Sequence, residues 1–292
     1  MKPAAFEYKK PATVNDALDM LAGSDGEIKV LAGGQSLVPM MNFRVVRPEL
    51  VIDINAIAGL DYIRLEGGNL VIGALARHAQ IKASAVAQAA CPLMCEAYDW
   101  VAHHPIRTRG TLCGNLCHAD PASEMPAVMM TVGAEMVLRS AEGERVVAAA
   151  NFFLGIYETA IRPDELLVEV RIPAASANQH FGFIETSMRR GDFAMCCAMA
   201  LVTVDNGKVA SAAITVAGIY DRAMRLGPVE AMLLGVSPNA ADREAIGQAA
   251  VDAYPIYGDQ RISEEYKRDL LAAHVRRAVD QALGKSLSGG IA

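Results

Sequence analysis

Residues 107–126 read RTRGTLCGNLCHADPASEMP, a stretch dense in small and polar residues between apolar flanks. From Gly110 to Asn115 the side chains have little bulk, so a ligand could approach the main chain closely. Successive exposed N–H groups in such a loop form a concave, electropositive nest that suits a phosphate or another anionic group. A glycine-containing surface turn would explain the same residues, so this stretch alone leaves both interpretations open.

A second informative stretch, residues 30–39, reads VLAGGQSLVP. A short apolar strand at Ile28–Leu31 leads into Gly33 and Gly34, and an apolar run that begins another element follows Ser36. A phosphate can lie against main-chain N–H groups in such a connection. The stretch lacks the G-x-G-x-x-G pattern of a dinucleotide-binding βαβ unit and the Gly-Lys-Ser/Thr of a Walker A loop. By itself it is also explained as a turn without a ligand.

Together the two stretches resemble the medium, FAD-binding subunit of the molybdenum hydroxylases. The resemblance lies in AGGQSL at 32–37, in R-x-R-G-T-x-x-G-N-L at 107–116 and in ADP at 119–121, and it extends over nearly the whole chain. This family includes the flavin subunits of carbon monoxide dehydrogenase and quinoline oxidoreductase, and the flavin domain of xanthine dehydrogenase.

The resemblance implies an α+β fold with two domains. Residues 1–175 would form a PCMH-type, vanillyl-alcohol-oxidase-like FAD-binding domain, with subdomains at 1–55 and 56–175. Residues 179–292 would form a C-terminal domain with a three-stranded antiparallel sheet and a helical bundle. The residues PAASAN at 173–178 have no periodicity and are predicted to be the linker.

Local sequence patterns agree with this division. Thr13 and Asp16 form a capping-box pattern ahead of a helix that Gly23 ends. Residues 78–102 are rich in Ala, Val and Met and are predicted to be helical, with a break near Pro92. Strands are predicted at 28–31, 49–54, 69–75, 134–139, 144–149, 165–173, 180–189, 195–204 and 208–219, and C-terminal helices at 228–234, 240–253 and 263–283.

Composition argues against several classes of protein. The net charge is −6 and no basic run alternates with aromatic residues, which argues against binding of nucleic acid. No apolar stretch reaches about 18 residues, and the first residues, MKPA, lack the apolar region of a signal peptide, so a cytoplasmic protein without a membrane span is predicted. The six cysteines are predicted to be reduced thiols. The C-x3-C pairs at 91–95 and 113–117 do not have the spacing of common metal sites, so no metal is predicted.

The chain carries no recognisable catalytic motif, such as G-x-S-x-G or H-E-x-x-H. His118, Asp120 and Glu124 can titrate, but no nucleophile is paired with them in a known pattern, so no catalytic residue is predicted. A bound cofactor must supply the reactivity, and the chain must bind it, orient it and tune it.

The resemblance also implies which residues hold FAD. The pyrophosphate would lie on Ala32, Gly33, Gly34, Gln35, Ser36 and Leu37. The flavin–ribityl–phosphate part would be held from the other side by Thr111, Leu112, Cys113, Gly114 and Asn115. The acidic positions of the following loop are Asp120 and Glu124, and the second could meet a ribityl hydroxyl or a flavin edge. The segment that brings a side chain against the isoalloxazine contains Arg189, Asp192 and Phe193.

Three of these residues depart from the pattern of the family. Cys113 stands where glycine is common, Phe193 where many members have tyrosine, and Glu124 where many have aspartate. The main chain at Cys113 is expected to tolerate a Cβ atom, and Phe193 brings no hydroxyl to the flavin. Cys113 and Cys117 would lie beside the flavin. The residues around Glu124 resemble the quinoline oxidoreductase subgroup, which favours an N-heteroaromatic substrate.

The function that the resemblance implies is electron transfer. Substrate would be hydroxylated at a molybdenum cofactor in a large partner subunit. Two electrons would then pass through two [2Fe–2S] clusters in a small partner subunit to the FAD of this chain, and an external acceptor would take them. The complex would be a heterotrimer or a dimer of heterotrimers.

Two other hypotheses stay open on the sequence. A self-contained flavoprotein oxidase or dehydrogenase would need its own base near the flavin, for which the candidates are His103, His104 and His118. A binding module for a dinucleotide or coenzyme would perform no redox chemistry.

Overall fold

The first part of the chain forms a small parallel sheet. In the computed structural model, which describes residues 1–23 and 26–288, its strands lie in the order β1-β3-β2 and both pairings are parallel. Helix α1 connects the first two strands and α2 follows β2. The elements are β1 (Glu7–Lys9), α1 (Val14–Ala22), β2 (Ile28–Leu31), α2 (Leu37–Asn42) and β3 (Leu50–Asp53).

Helix α1 begins and ends where its sequence predicts. The Thr13 hydroxyl accepts the Asp16 N–H at 3.1 Å, and the Asp16 carboxylate accepts the Thr13 N–H at 3.0 Å. These reciprocal bonds satisfy two main-chain donors that the first turn of a helix otherwise leaves free. The helix ends at Gly23, and its buried face carries Leu18 and Leu21. The predicted capping box is confirmed.

The middle of the chain forms a five-stranded antiparallel sheet in the order β4-β5-β10-β6-β7, and β8 pairs separately with β9. The strands of this part are β4 (Ile63–Glu66), β5 (Asn69–Gly73), β6 (Glu135–Ser140), β7 (Gly143–Ala148), β8 (Phe153–Gly155), β9 (Glu158–Thr159) and β10 (Leu166–Pro173). Between β5 and β6 lie α3 (His78–Ala83), α4 (Ala85–Ala90), α5 (Pro92–Ala97), α6 (His104–Arg107), α7 (Leu112–His118) and α8 (Glu124–Val132).

Two sequence-based expectations in this region need correction. The stretch 78–102 breaks at Ser84 as well as at Pro92, because Ser84 ends α3 and its hydroxyl caps α4 by accepting the Ala87 N–H at 3.3 Å. The stretch 107–126 is not a continuous loop, since it contains α7 and the start of α8. Thr111 caps α7 by accepting the Gly114 N–H at 3.1 Å, which outweighs the low helix propensity of that glycine.

The last part of the chain forms a second antiparallel sheet, in the order β11-β12-β13-β14, covered by three helices. The three predicted strands are confirmed, and a fourth strand of two residues, too short to leave a sequence pattern, extends the sheet. The elements are β11 (Gln179–Ser187), β12 (Ala194–Asp205), β13 (Lys208–Ala217), β14 (Met224–Arg225), α9 (Gly227–Leu233), α10 (Arg243–Asp252) and α11 (Glu264–Ser288).

Strand β12 is buried on both faces and joins the two halves of the molecule. Cys197 and Met199 belong to the apolar core that contains α7 and α8, whereas Cys196 and Ala198 belong to the core beneath α11. Successive side chains of a strand point to opposite faces, so one strand serves both cores. The chain before α8 is hydrogen-bonded to this sheet, because the Ala194 N–H donates to the Ala122 carbonyl at 3.3 Å.

Close packing of α11 on β11 predicts the effect of one added carbon. A Cβ atom on Gly182 would lie 2.0 Å from the main-chain oxygen of Ala278 in α11, and a helix backbone cannot move away without losing its own packing. We expect Gly182→Ala to lower the free energy of unfolding by about 2 kcal/mol. Urea unfolding of the full chain, followed by circular dichroism, measures this change.

Gly227→Ala is the matched control, because no atom of the described residues outside its chain neighbours and its own helix lies within 4 Å of the added carbon. An equal loss of stability in both variants would contradict the packing explanation.

Candidate cofactor site

The two glycine-containing stretches of the sequence touch each other in the fold. A Cβ atom on Gly33 would lie 2.7 Å from the Arg109 carbonyl oxygen, 2.7 Å from the Gly110 Cα and 3.0 Å from the Thr111 nitrogen. All three are main-chain atoms, so only glycine allows this approach. The loop after β2 and the start of α7 therefore form one continuous surface.

The loop after β2 presents a row of free main-chain donors. Among the hydrogen bonds of the described residues, none uses the N–H groups of residues 33–37. Gly34 has a φ of 72°, and the Gln35 side-chain amide donates to the Gly33 carbonyl at 3.0 Å, which holds the turn in place. Ser36 makes no capping bond, so its hydroxyl is also available. Such an arrangement forms an anion-binding nest.

Beside this loop lies an open pocket of about 710 Å³ that contains two guanidinium groups. Arg77 donates to the Asn55 Oδ1 atom at 2.6 Å and to the Arg109 carbonyl oxygen. Neither Arg77 nor Arg109 belongs to a salt bridge of the described residues. Burial, and then the nearby Arg109 charge, lowers the pKa of Arg77, while the charges of Asp53 and Asp61 act in the opposite direction.

A polar network fixes the floor of the pocket at the carboxyl ends of β2 and β3. Asn55 donates from its side chain to the Ala32 carbonyl at 2.8 Å and to Asp53 at 2.6 Å. Asp53 also accepts the Tyr8 hydroxyl at 2.5 Å. Burial by itself would raise the pKa of Asp53, but the hydrogen bonds from Tyr8 and Asn55 lower it, so the carboxylate stays ionised. Asn55 and Arg77 carry no motif and were not predicted from the sequence, and Arg109 lies in the stretch 107–126 but had no predicted role.

The predicted residues on α7 divide into two groups. Leu112 and Cys113 are buried and face the apolar core, so their side chains do not reach the surface that the two stretches share. Gly114 and Asn115 are half-buried. Gly114 lies near Ala32, because a Cβ atom added to Gly114 would be 4.0 Å from the Ala32 Cβ atom. Cys113 has helical backbone rather than a positive φ, so its Cβ causes no strain, as expected.

The acidic positions after α7 are also buried. Asp120 accepts the Ala122 N–H at 2.9 Å and the Tyr157 hydroxyl at 3.1 Å. Glu124 is the first residue of α8, and its side chain is turned into the protein with 4% of the residue exposed. Burial, with a smaller contribution from the Asp120 charge, raises the pKa of Glu124 to about 7. Cys117, in contrast with Cys113, is exposed.

The turn between β11 and β12 carries the exposed residue Phe193. Contacts of Arg190 and Gly191 hold this turn against the segment before α6. Arg190 donates to the Asp99 carbonyl at 3.1 Å, and its guanidinium lies 5.3 Å from the centre of the Trp100 ring. Gly191 has a φ of 92° and lies directly against His103. Neither Arg189 nor Phe193 lines the pocket beside the glycine loop, so the structure does not bring them together with Ala32–Gln35.

Comparison with known proteins agrees with this geometry. Residues 4–175 match the family model described as the FAD binding domain in molybdopterin dehydrogenase, and residues 183–282 match the CO dehydrogenase flavoprotein C-terminal domain. The chain therefore belongs to the FAD-binding family of the molybdopterin dehydrogenases, which confirms the resemblance and the fold class that the sequence indicated. No helix of the described residues is long and apolar enough to cross a membrane.

Individual relatives match along almost their whole length. The caffeine dehydrogenase subunit beta of Pseudomonas sp. (strain CBB1) is 40% identical, over 97% of this chain and 96% of that protein. The carbon monoxide dehydrogenase medium chain of Hydrogenophaga pseudoflava is 33% identical, over 97% and 98%. The solved structure of quinoline 2-oxidoreductase from Pseudomonas putida 86 superposes with a TM-score of 0.91 at 31% identity, and covers 98% of this chain and 100% of the matched chain.

The contact between the two stretches predicts the effect of a small substitution on FAD binding. In Gly33→Ala the added carbon collides with the main chain of residues 109–110 and forces the loops apart. We expect FAD affinity to fall at least about tenfold, equivalent to about 1.4 kcal/mol. Titration of the chain with FAD, followed by flavin fluorescence, measures the change. Gly227→Ala again serves as the control, and unchanged affinity in Gly33→Ala would contradict a site at this contact.

Proposed function

We propose that this chain is the FAD-carrying electron-transfer subunit of a molybdenum hydroxylase. The observation that carries the proposal is the meeting of two glycine-containing stretches around free N–H donors and two guanidiniums that form no salt bridge among the described residues. This combination suits the dianionic pyrophosphate of a dinucleotide. The chain matches subunits of larger dehydrogenases over nearly their whole length, and for that reason a self-contained flavoprotein oxidase is not favoured.

Each part of the site has a distinct proposed role toward FAD. The N–H groups of residues 33–37, with Arg77 and Arg109, hold the pyrophosphate. Residues Thr111, Gly114 and Asn115 bind from the side of α7, while Leu112 and Cys113 support that helix from the core. Asp120, Glu124, Arg189 and Phe193 serve the flavin end. When bound, FAD supplies the two-electron redox chemistry, and the chain binds it, orients it and shields it from water.

The domain division follows the three larger sheets. Residues 1–175, with subdomains at 1–55 and 56–175, form the FAD-binding domain, and residues 179–292 form the C-terminal domain. The matched ranges of the two family models support this division.

The proposed partners are a large subunit with the molybdenum cofactor and a small subunit with two [2Fe–2S] clusters, in a heterotrimer or a dimer of heterotrimers. An external acceptor removes the electrons. The names "subunit beta" and "medium chain" of the relatives support an assembly of this kind. The caffeine dehydrogenase subunit beta is one of those relatives, which favours an N-heteroaromatic substrate that is oxidised in the large subunit. The six free cysteines fit a reducing compartment such as the cytoplasm.

Purification of the untagged chain from its native host tests the proposal. We expect a flavin absorption spectrum overlaid by iron–sulfur absorption, with molybdenum and with one larger and one smaller companion chain. A yellow, substrate-oxidising monomer without metals would instead support the self-contained oxidase. Absence of flavin after addition of FAD would overturn the assignment.

The two guanidiniums of the pocket, Arg77 and Arg109, predict a charge-dependent affinity. Arg109→Gln and Arg77→Gln each remove one cation from the pocket. We expect each to weaken FAD binding about tenfold, because a hydrogen bond to a charged group contributes about 1.5–3 kcal/mol and solvent partly screens the Arg109 charge. Affinity in the unaltered chain should also fall with rising salt concentration, and less so in the variants.

Calorimetric titration at two salt concentrations measures both effects. Arg276→Gln on α11 is the control, because this arginine pairs with Glu244 at the surface of the last sheet's helices. Equal affinities for Arg109→Gln, Arg77→Gln and Arg276→Gln would refute the assigned role of the cations.

A further inference from the structure

The turn between β8 and β9 holds a tyrosine in an unusual backbone conformation. Tyr157 has a φ of 56°, in the left-handed region that favours glycine and asparagine and strains a bulky residue. The residue is 53% exposed, so burial of apolar surface does not explain why a tyrosine occupies this position. A strained residue of this kind persists only where its own contacts fix it, and such positions are often functional.

Three contacts fix Tyr157, and all of them are made to the end of α7. Its N–H donates to the Ala119 carbonyl oxygen at 3.3 Å. Its ring stacks on the His118 ring, with the ring centres 4.8 Å apart and an angle of 26° between the planes. Its hydroxyl donates to the Asp120 Oδ2 atom at 3.1 Å. Tyr157 therefore contacts three successive residues, 118–120.

The hairpin that carries Tyr157 is anchored in the core of the protein. Phe152 and Phe153 precede the turn, both are buried, and their rings meet edge to face with their centres 5.1 Å apart. The Ala160 N–H donates to the Phe152 carbonyl oxygen at 2.9 Å and closes the base of the hairpin. The contacts of Tyr157 therefore tie the end of α7 to a buried base.

The carboxylate of Asp120 is fixed at both of its oxygens. Ala119, with a φ of 50°, ends α7 by donating its N–H to the Asn115 carbonyl oxygen at 3.1 Å. Asp120 follows directly, and its Oδ1 atom accepts the Ala122 N–H at 2.9 Å while its Oδ2 atom accepts the Tyr157 hydroxyl. Each carboxylate oxygen can accept a second hydrogen bond. The bond from Tyr157 thus sets the direction of the carboxylate without using all of its acceptor sites.

We propose that Tyr157 is a positioning residue of the cofactor site and that it acts through Asp120. Its hydroxyl holds the carboxylate in one orientation, and its N–H and ring hold the turn that follows α7. The positions of Asp120 and of Asn115 are thereby set before the cofactor binds, which lowers the entropic cost of binding. This inference rests on the proposed function, in which α7 and Asp120 bind FAD.

The test compares FAD affinity with the stability of the FAD-free chain. Tyr157→Phe keeps the ring and removes only the hydroxyl that bonds to Asp120. We expect the dissociation constant of FAD to rise about fivefold, because the carboxylate loses a hydrogen bond that orients it. We expect the thermal midpoint of the FAD-free chain to change by less than about 2 °C, since the lost bond lies near the surface. Titration of the full chain with FAD, followed by flavin fluorescence, and thermal unfolding without FAD measure these quantities.

Tyr254→Phe is the matched control, because it also removes one hydroxyl hydrogen bond, to the Arg225 carbonyl oxygen at 3.2 Å in the C-terminal part of the chain. It should leave the dissociation constant of FAD unchanged. A purely structural role of Tyr157 predicts a different result for Tyr157→Phe, namely a lower thermal midpoint of the FAD-free chain and an unchanged dissociation constant. That result would contradict the inference.

A double-mutant cycle tests whether Tyr157 acts through Asp120. Asp120→Asn leaves one acceptor oxygen, which the Ala122 N–H occupies, so the Tyr157 hydroxyl loses its acceptor. We expect Asp120→Asn alone to weaken FAD binding about tenfold, and the double variant with Tyr157→Phe to weaken it no further. Effects of the two substitutions that multiply in the double variant would contradict action through Asp120.

Tyr157→Asn separates the side chain from its backbone conformation. Asparagine adopts the left-handed conformation readily, but it brings neither the ring that stacks on His118 nor the hydroxyl that reaches Asp120. We expect weaker FAD binding than in Tyr157→Phe. Affinity equal to that of the unaltered chain in both variants would overturn the inference alone. Failure of the unaltered chain to bind FAD would overturn the proposed function, and this inference with it.

Discussion

The main-chain contact of Gly33 with residues 109–111 is the constraint on which the cofactor site depends. It brings the loop that follows strand β2 of the parallel sheet against the start of α7, which lies in the helical connection between β5 and β6. Arg77 adds a second tie, since one guanidinium reaches both Asn55 and the Arg109 carbonyl. The free N–H groups and the cations face the same pocket because these ties fix three distant segments relative to one another.

Local signals predicted the elements of the fold well. Strand β2 occupies the predicted residues, and the capping box of Thr13 and Asp16 forms as its spacing indicates. Helix α7 was missed because Gly114 and Asn115 resemble loop residues, while the decisive bond, from the Gly114 N–H to the Thr111 hydroxyl, is a detail of geometry. Strand β14 contains two residues and exists through its pairing with β13, which no local pattern reveals.

The main-chain part of the proposed cofactor site was predictable from the sequence, whereas its side-chain part was not. Glycines that permit a close approach leave a visible pattern, whereas Arg77 and Asn55 gain their roles from contacts across 22 positions of sequence. The burial of Glu124 depends on the packing of α8 against β12, a strand about 70 residues later in the chain. Its acidic character was visible in the sequence, but the direction of its side chain was not.

The loop of residues 120–123 links the end of α7 to the last sheet. Its main chain accepts hydrogen bonds from Ala194 and Gly218, and Ser123 bonds to Asn115 of α7. A ligand that binds the main-chain donors and the guanidiniums of the pocket stabilises the folded chain by mass action. The supply of cofactor in the cell would thereby affect how much of this chain is folded and ready for assembly. Because the loop of residues 120–123 is hydrogen-bonded to the last sheet, binding at the pocket would also stabilise that sheet.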